Sequence, residues 1–263
     1  MTRALVLGPG GVAGTAWLAG LVVGLRRAGV DLADADLIVG TSAGAIVGAM
    51  IATGQDPSRL ATLNGSGNGT AGPDKSAEVF ATLGDPTLDH GEKLRRIGRA
   101  ALTADVPPEQ NHLDRTAALI TARDWPEQRL LITAVDTETG EAAVWDQDGD
   151  ASLLSAVASS YAVPGLYPPV TINGHRYMDG AFRGGANADL AADADTVVVI
   201  EPLGHVFPSG AAVSITPDEA TLAAFGPDLH DLSAWEASFE AGLRQGAPAA
   251  ERIGGLWNGT DNR

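Results

Sequence analysis

The pentapeptide Gly40-Thr41-Ser42-Ala43-Gly44 places a serine between two glycines, after the apolar run Asp36–Val39 and before the small, apolar run Ala45–Thr53. A strand, a tight turn and a helix in that order form a nucleophile elbow. The turn lifts the serine oxygen above a sheet, and the helix N-terminus favours the negative charge that develops nearby. A second glycine cluster, Gly8-Pro9-Gly10-Gly11-Val12-Ala13-Gly14, follows the apolar run Ala4–Leu7. Its N–H groups open a helix and suit an anion. Two uses compete: an oxyanion hole beside Ser42, or a dinucleotide loop, since Gly8, Gly10 and Ala13 satisfy G-x-G-x-x-[GA]. A dinucleotide loop wants an acid at the end of the second strand. Here that strand ends Ile38-Val39-Gly40-Thr41, and Asp34 and Asp36 precede it, which weighs against a nucleotide.

A serine nucleophile needs a base. Of the histidines (His90, His112, His175, His205, His230), only His205 follows a late strand, as a Ser–acid–His order requires. The rival is Asp179 in Tyr177-Met178-Asp179-Gly180-Ala181, a carboxylate at a strand end before a tight turn. An aspartate is a weak base for a hydroxyl, and it works only in a desolvated, prealigned site.

The ordered set of Gly8–Gly14, Gly40–Gly44 and Asp179-Gly180-Ala181 resembles the patatin-like phospholipase family, as do Val163–Pro169 and Asn187. The resemblance covers about residues 4–201. It implies a three-layer α/β/α fold with a mainly parallel central sheet. It implies a Ser42–Asp179 dyad without histidine, and an oxyanion hole from the amides of Gly10 and Gly11, extending to Val12. Gly8, Gly14, Gly40, Gly44, Gly180 and Ala181 support these motifs. The activity implied is a serine acyl hydrolase of the phospholipase A, lipase or esterase type, with no cofactor and no metal. One departure stands out. Family members commonly carry Arg or Lys in a Gly-Gly-x-Arg-Gly loop, and this chain has Ala13 there. The motifs also leave room for an acyltransferase or thioesterase using the same acyl-enzyme, and for a non-catalytic relative that binds or regulates.

The elements that must position these residues are legible in part. Helices are expected near 14–28, 76–83, 90–104, 112–122, 153–160 and 231–253, and a buried strand at Thr196–Ile200. Arg129–Val135 and Ala142–Trp145 flank a hairpin turn, and Val170–Ile172 and Arg176–Met178 flank Asn173-Gly174, the strongest short hairpin signal. Residues 64–75 read as a loop, and residues 64–84 as a cover over the site. No Pro/Gly-rich segment separates two cores, so residues 1–263 read as one domain.

Composition narrows the partners. The chain has 263 residues, 44% of them hydrophobic and 19% charged, an ordinary globular profile. Seventeen basic against 33 acidic residues give a net charge of −16, which disfavours nucleic acid and anionic bilayers. Lysine occurs only as Lys75 and Lys93; arginine-rich, alanine-rich usage is associated with high-GC bacteria. There is no cysteine, which excludes disulfides and thiolate chemistry and fits a cytoplasmic setting. Ala4–Leu25 is uncharged but broken at Gly8–Gly11, so strand, turn and helix are expected rather than a membrane span. Asp146, Asp148 and Asp150 resemble the start of a calcium loop, but Ala151 and Val157 stand where it wants Gly and Glu, so an acidic turn is expected. Lys93, Arg95, Arg96 and Arg99 share a helix with Leu94, Ile97 and Ala101. A core-facing apolar stripe is the favoured reading there, and transient membrane-surface contact the competing one. A lipid or other ester is the substrate expected; the oligomeric state is left open.

Overall fold

A computed structural model of the chain describes residues 1–62 and 76–259. The loop expected at 64–75 lies outside the described residues, as does all of the suggested cover except residues 76–84. In chain order the elements are β1 (Arg3–Leu7), α1 (Gly11–Arg27), β2 (Leu37–Gly40), α2 (Ala43–Ala52), α3 (Ser76–Gly84), α4 (His90–Leu102) and α5 (Glu109–Leu119). They continue with β3 (Arg129–Asp136), β4 (Ala142–Trp145), α6 (Leu153–Ser160), β5 (Val170–Ile172), β6 (His175–Asp179) and α7 (Ala181–Gly184). The chain closes with β7 (Thr196–Ile200), β8 (Ser214–Ile215), α8 (Glu219–Phe225) and α9 (Trp235–Trp257).

The strands form one sheet in the order β5-β6-β3-β2-β1-β7-β8, with β4 added to β3. The run from β3 to β8 is parallel, and β4, β5 and β6 are antiparallel to their neighbours. Period-two alternation assigns the faces. Leu5, Leu7, Ile38, Leu130 and Ile132 point to the side covered by α1, α2, α6 and α9. Ala4, Val6, Val39, Leu131 and Val199 point to the other side, under the segment that carries Ala186 and Ala191. On that second side α4 closes over Val135 and Met178 with Leu94 and Ile97. The result is the three-layer α/β/α arrangement.

The register along β3 matters most for the site. Ile132 pairs with both Gly40 of β2 and Trp145 of β4, so those strands lie on opposite edges. Ala134 pairs with Ala143 of β4 and with Asp179 of β6. A residue has only two edges, so β2 and β6 share the same edge of β3. β2 is parallel to β3 and β6 antiparallel, so the two run head-on and their C-terminal ends meet beside Thr133. Asn173 and Gly174, at φ 52° and 83°, form the two-residue loop that turns β5 back into β6.

The expected helix at 14–28 begins earlier, at Gly11, because the glycine loop itself is the first turn, with Gly10 as its cap. The helix expected at 112–122 runs over Glu109–Leu119, and that at 231–253 becomes α9 after a short turn at Leu232–Ala234. Leu94, Ile97 and Ala101 of α4 are buried, so its apolar stripe faces the core rather than a bilayer. Three of its cations, Arg95, Arg96 and Arg99, converge on Glu92. At Asp146–Asp150 the Asp146 carboxylate accepts the Asp148 N–H, an Asx turn. No helix among the described residues is long and apolar enough to cross a membrane.

α1 and α9 pack backbone against backbone. A Cβ on Gly20 would lie 2.0 Å from the Phe239 carbonyl oxygen, and one on Gly242 would lie 2.2 Å from that of Trp17. Between them the Trp17 indole N–H donates to Gln245 Oε1 at 3.1 Å. Gly20→Ala is therefore expected to destabilise the fold by about 2 kcal/mol or more, because the helices must part. The measurement is thermal unfolding, with a Tm loss of about 4–8 °C; an unchanged Tm would contradict the packing.

Candidate active site

Ser42 sits at the turn between β2 and α2 with φ 54° and ψ −116°. A non-glycine residue reaches this region only when its surroundings force it. Here the forcing is the approach of two loops. The Gly44 N–H donates to Gly8 O at 3.2 Å, and a Cβ on Gly44 would lie 1.9 Å from the Leu7 carbonyl oxygen. The Ser42 N–H is held by Ser160 Oγ at 3.0 Å. The serine side chain thus has its direction fixed before any ligand arrives.

Ser42 Oγ donates to Asp179 Oδ2 at 2.7 Å. The other carboxylate oxygen, Oδ1, accepts the Ala181 N–H at 2.8 Å. Asp179 is 2% exposed. Burial outweighs these two hydrogen bonds and pushes its pKa up to about 7. A carboxyl poised there exchanges protons with a serine far more readily than an ordinary aspartate does. His205, the alternative base, is exposed on the loop after β7 and makes no hydrogen bond to Ser42.

Asn187 holds the junction together. It adopts the left-handed conformation, is 1% exposed, and its Nδ2 lies 2.9 Å from Thr41 Oγ1, 3.1 Å from Thr133 Oγ1 and 3.1 Å from Gly180 O. One side chain therefore touches the serine turn, the strand between, and the turn after the aspartate. Gly180 must be glycine, because a Cβ would lie 2.2 Å from the Thr133 carbonyl oxygen.

At the α1 N-terminus Ala13 N–H is taken by Leu229 O and Gly14 N–H by Gly10 O. Among the described residues the N–H groups of Gly10, Gly11 and Val12 meet no acceptor. Ser42, Gly11 and Val12 line one cavity of about 690 Å³; Gly10 is buried against Pro202 behind it. Ala13, in the place of the family's cation, is buried with no exposure. Ile46, Leu60, Leu119 and Trp235 give the cavity an apolar wall. Tyr167, within the family-like Val163–Pro169 segment, also lines the cavity, together with Arg59, Arg115, His230 and Leu232, whose place there the sequence did not reveal. Arg59, Arg115, His230 and Leu232 carry no local motif, and His230, Leu232 and Trp235 come from the stretch after residue 201.

A serine presented at a strand–helix turn of a mainly parallel sheet, under a glycine-rich helix start, is the architecture of the α/β serine hydrolases in the broad sense. Residues 5–192 match the family model described as patatin-like phospholipase, and the chain belongs to that family. It is similar to uncharacterized NTE family proteins of Mycobacterium bovis and Mycobacterium tuberculosis, 29% identical over 196 residues. That similarity covers 71% of this chain and 47% of each relative, so the chain spans about half the length of the curated relatives it matches. Among solved structures, VipD from Legionella pneumophila aligns over 76% of this chain and 49% of its own, at 15% identity and TM-score 0.44. The type III effector ExoU aligns over 95% and 53%, at 18% identity and TM-score 0.44.

The raised pKa has a consequence for stability. An unfolded aspartate titrates near 3.8, whereas Asp179 in the fold holds its proton to about 7. Its contribution is full below the lower value and is lost as pH rises through the upper one. Asp179→Asn removes that loss. Its stability relative to wild type is expected to grow between pH 4 and pH 8 by up to about 4 kcal/mol. Denaturant unfolding across that range measures it; a difference that stays flat with pH would contradict the buried, proton-holding carboxyl.

Proposed function

We propose that the protein is a serine acyl hydrolase that cleaves carboxylic esters of lipids through Ser42 and Asp179, with a glycine-loop oxyanion hole. The observation that carries this reading is the 2.7 Å hydrogen bond from Ser42 Oγ to a buried Asp179, beside helix-start N–H groups that meet no acceptor among the described residues.

The steps follow from the donors and acceptors in place. Ionised Asp179 takes the Ser42 proton as Oγ attacks the ester carbonyl carbon. The carbonyl oxygen becomes an oxyanion, and the amides of Gly11 and Val12, with Gly10 behind, stabilise it together with the α1 dipole. The loop cation of the family is replaced by Ala13, so backbone donors carry this task. Collapse expels the alcohol oxygen, which takes the proton from Asp179, and leaves an acyl-Ser42. Water then gives its proton to Asp179 while attacking the acyl carbon. The second collapse frees the carboxylic acid and returns the proton to Ser42 Oγ. The apolar wall of Ile46, Leu60, Leu119 and Trp235 suits the acyl chain.

Ester turnover is expected to rise with pH through about 7, as Asp179 ionises. Ser42→Ala and Asp179→Asn should each lower kcat/KM at least about 1,000-fold with the fold intact, and His205→Ala should keep the wild-type rate. The measurement is hydrolysis of p-nitrophenyl esters of graded chain length, with labelling by a fluorophosphonate probe as a second readout. Full activity in Ser42→Ala, or no Ser42-dependent labelling of wild type, would overturn the reading.

A further inference from the structure

The chain carries 33 acidic and 17 basic residues, yet the wall of the Ser42 cavity holds two arginines and no Asp or Glu among the described residues. Neither Arg59 nor Arg115 has a carboxylate within salt-bridge distance among those residues; seven other arginines do. Both are instead held by neutral groups. Arg59 donates to Gln55 Oε1 at 3.1 Å. Arg115 lies over the Tyr167 ring at 5.5 Å and reaches its hydroxyl at 3.4 Å. Guanidinium groups oriented by neutral partners keep their charge for something else, and their fork geometry matches phosphate and carboxylate oxygens.

Arg115 also borders a second, smaller space. A side pocket of about 100 Å³ shares Val12, Asn111, Arg115, Tyr167, His230 and Leu232 with the main cavity. His112 forms part of its own wall. That ring is 3% exposed and stacks on Tyr167 at 5.0 Å. Its Nε2 lies 2.9 Å from Ala158 O, which only accepts, so Nε2 carries the hydrogen. Burial pushes the pKa of His112 down to about 4, so the ring is neutral and Nδ1 is an acceptor. Nδ1 has no donor among the described residues. Arg115, with no carboxylate partner among the described residues, is thus a charged group that the side pocket presents, while the unmet Nδ1 stays buried in its wall. Because the side pocket touches the glycine loop at Val12, a polar group entering it leaves the ester carbonyl near Ser42. The acyl chain then runs along the apolar wall, which belongs to the main cavity alone.

We propose that Arg115 and the side pocket it shares with His112 form a subsite for the alcohol portion of the substrate, selecting esters of small hydroxylated alcohols that carry an anionic oxygen group, phosphate first. Arg59, exposed on the same cavity, draws the anion in. This rests on the acyl hydrolase reading and names its substrate class. With the loop cation replaced by Ala13, the positive charge of this site lies on the cavity wall, where it recognises substrate rather than the oxyanion.

The test compares a 1-acylglycerol with the 1-acylglycerol 3-phosphate of the same chain length. Wild type is expected to favour the phosphate ester in kcat/KM by about tenfold or more. Arg115→Gln should collapse that ratio toward one, chiefly through KM, and Arg115→Lys should restore part of it. Arg59→Gln should lower the ratio less, and more at low salt than at high. Glycerol 3-phosphate should compete in wild type and lose about tenfold in potency in Arg115→Gln. A ratio near one in wild type, or the same ratio in Arg115→Gln, would overturn the subsite. Inorganic phosphate inhibiting as well as glycerol phosphate, without any ester preference, would mean a free-anion site and overturn it too. If neither ester is turned over and Ser42 is not labelled by fluorophosphonate, it is the hydrolase reading that has failed; turnover without preference fails the subsite alone.

Discussion

The site depends on one constraint: two strands of opposite direction end against each other on the same edge of β3. β2 arrives from the N-terminal half and stops at Gly40; β6 arrives from the opposite side and stops at Asp179. Neither can extend without colliding with the other, so both chains must turn out of the sheet at the same place. One turn carries Ser42 and the other follows Asp179. Their 2.7 Å contact results from sheet register, with Thr133 and Asn187 cross-linking the seam. In an ordinary parallel sheet the residue facing a strand end is solvent or a loop. A facing strand end supplies a carboxylate that the sheet and its covering layers keep dry. That dryness is what raises its proton affinity.

Much of this was legible in the chain itself, for physical reasons. Gly40–Gly44 and Gly8–Gly14 are dense in glycine because backbones pass within van der Waals distance there, so composition alone marks the close approach. Asn173-Gly174 reads as a hairpin because both positions take positive φ. Ser42 and Asp179 were legible as strand-end residues, while the preference for Asp179 over His205 rests on the resemblance to the family. The boundaries were less legible. α1 starts at Gly11, since poor helix formers occupy its first turn for the sake of their N–H groups. What stayed hidden is non-local. Ser160 ends an unremarkable helix but anchors the Ser42 N–H from 118 residues away. Arg59 and Arg115 have no motif, and only the folded wall shows that they share a cavity with no acid among the described residues. The stretch after residue 201 looked uninformative because α9 docks through glycines spaced on a helix face, a pattern with no polar signature.

The electrostatic plan is uneven in a useful way. Seven arginines are paired to carboxylates among the described residues, mostly at exposed positions where such pairs add little stability. The two on the cavity wall are held by a tyrosine and a glutamine instead. A strongly acidic surface around a locally cationic cleft focuses field lines into that cleft. Buried Asp179, behind Ser42, has its pKa raised to about 7 and so carries less negative charge near neutral pH than an ordinary aspartate.

The head-on junction also sets an order in time. Ser42 and Asp179 are 137 residues apart, and the strand that joins them, β3, lies between them in the chain. During synthesis β1, β2 and the serine turn are complete long before β6 emerges. A nascent chain at that stage holds a serine with no base, no seam and no closed cavity. Because non-local strand pairing forms late and slowly, the contact between Ser42 and Asp179 arises only once β6 has paired with β3. On the proposed reading, a chain made only as far as α6 carries Ser42 without the carboxylate that would activate it.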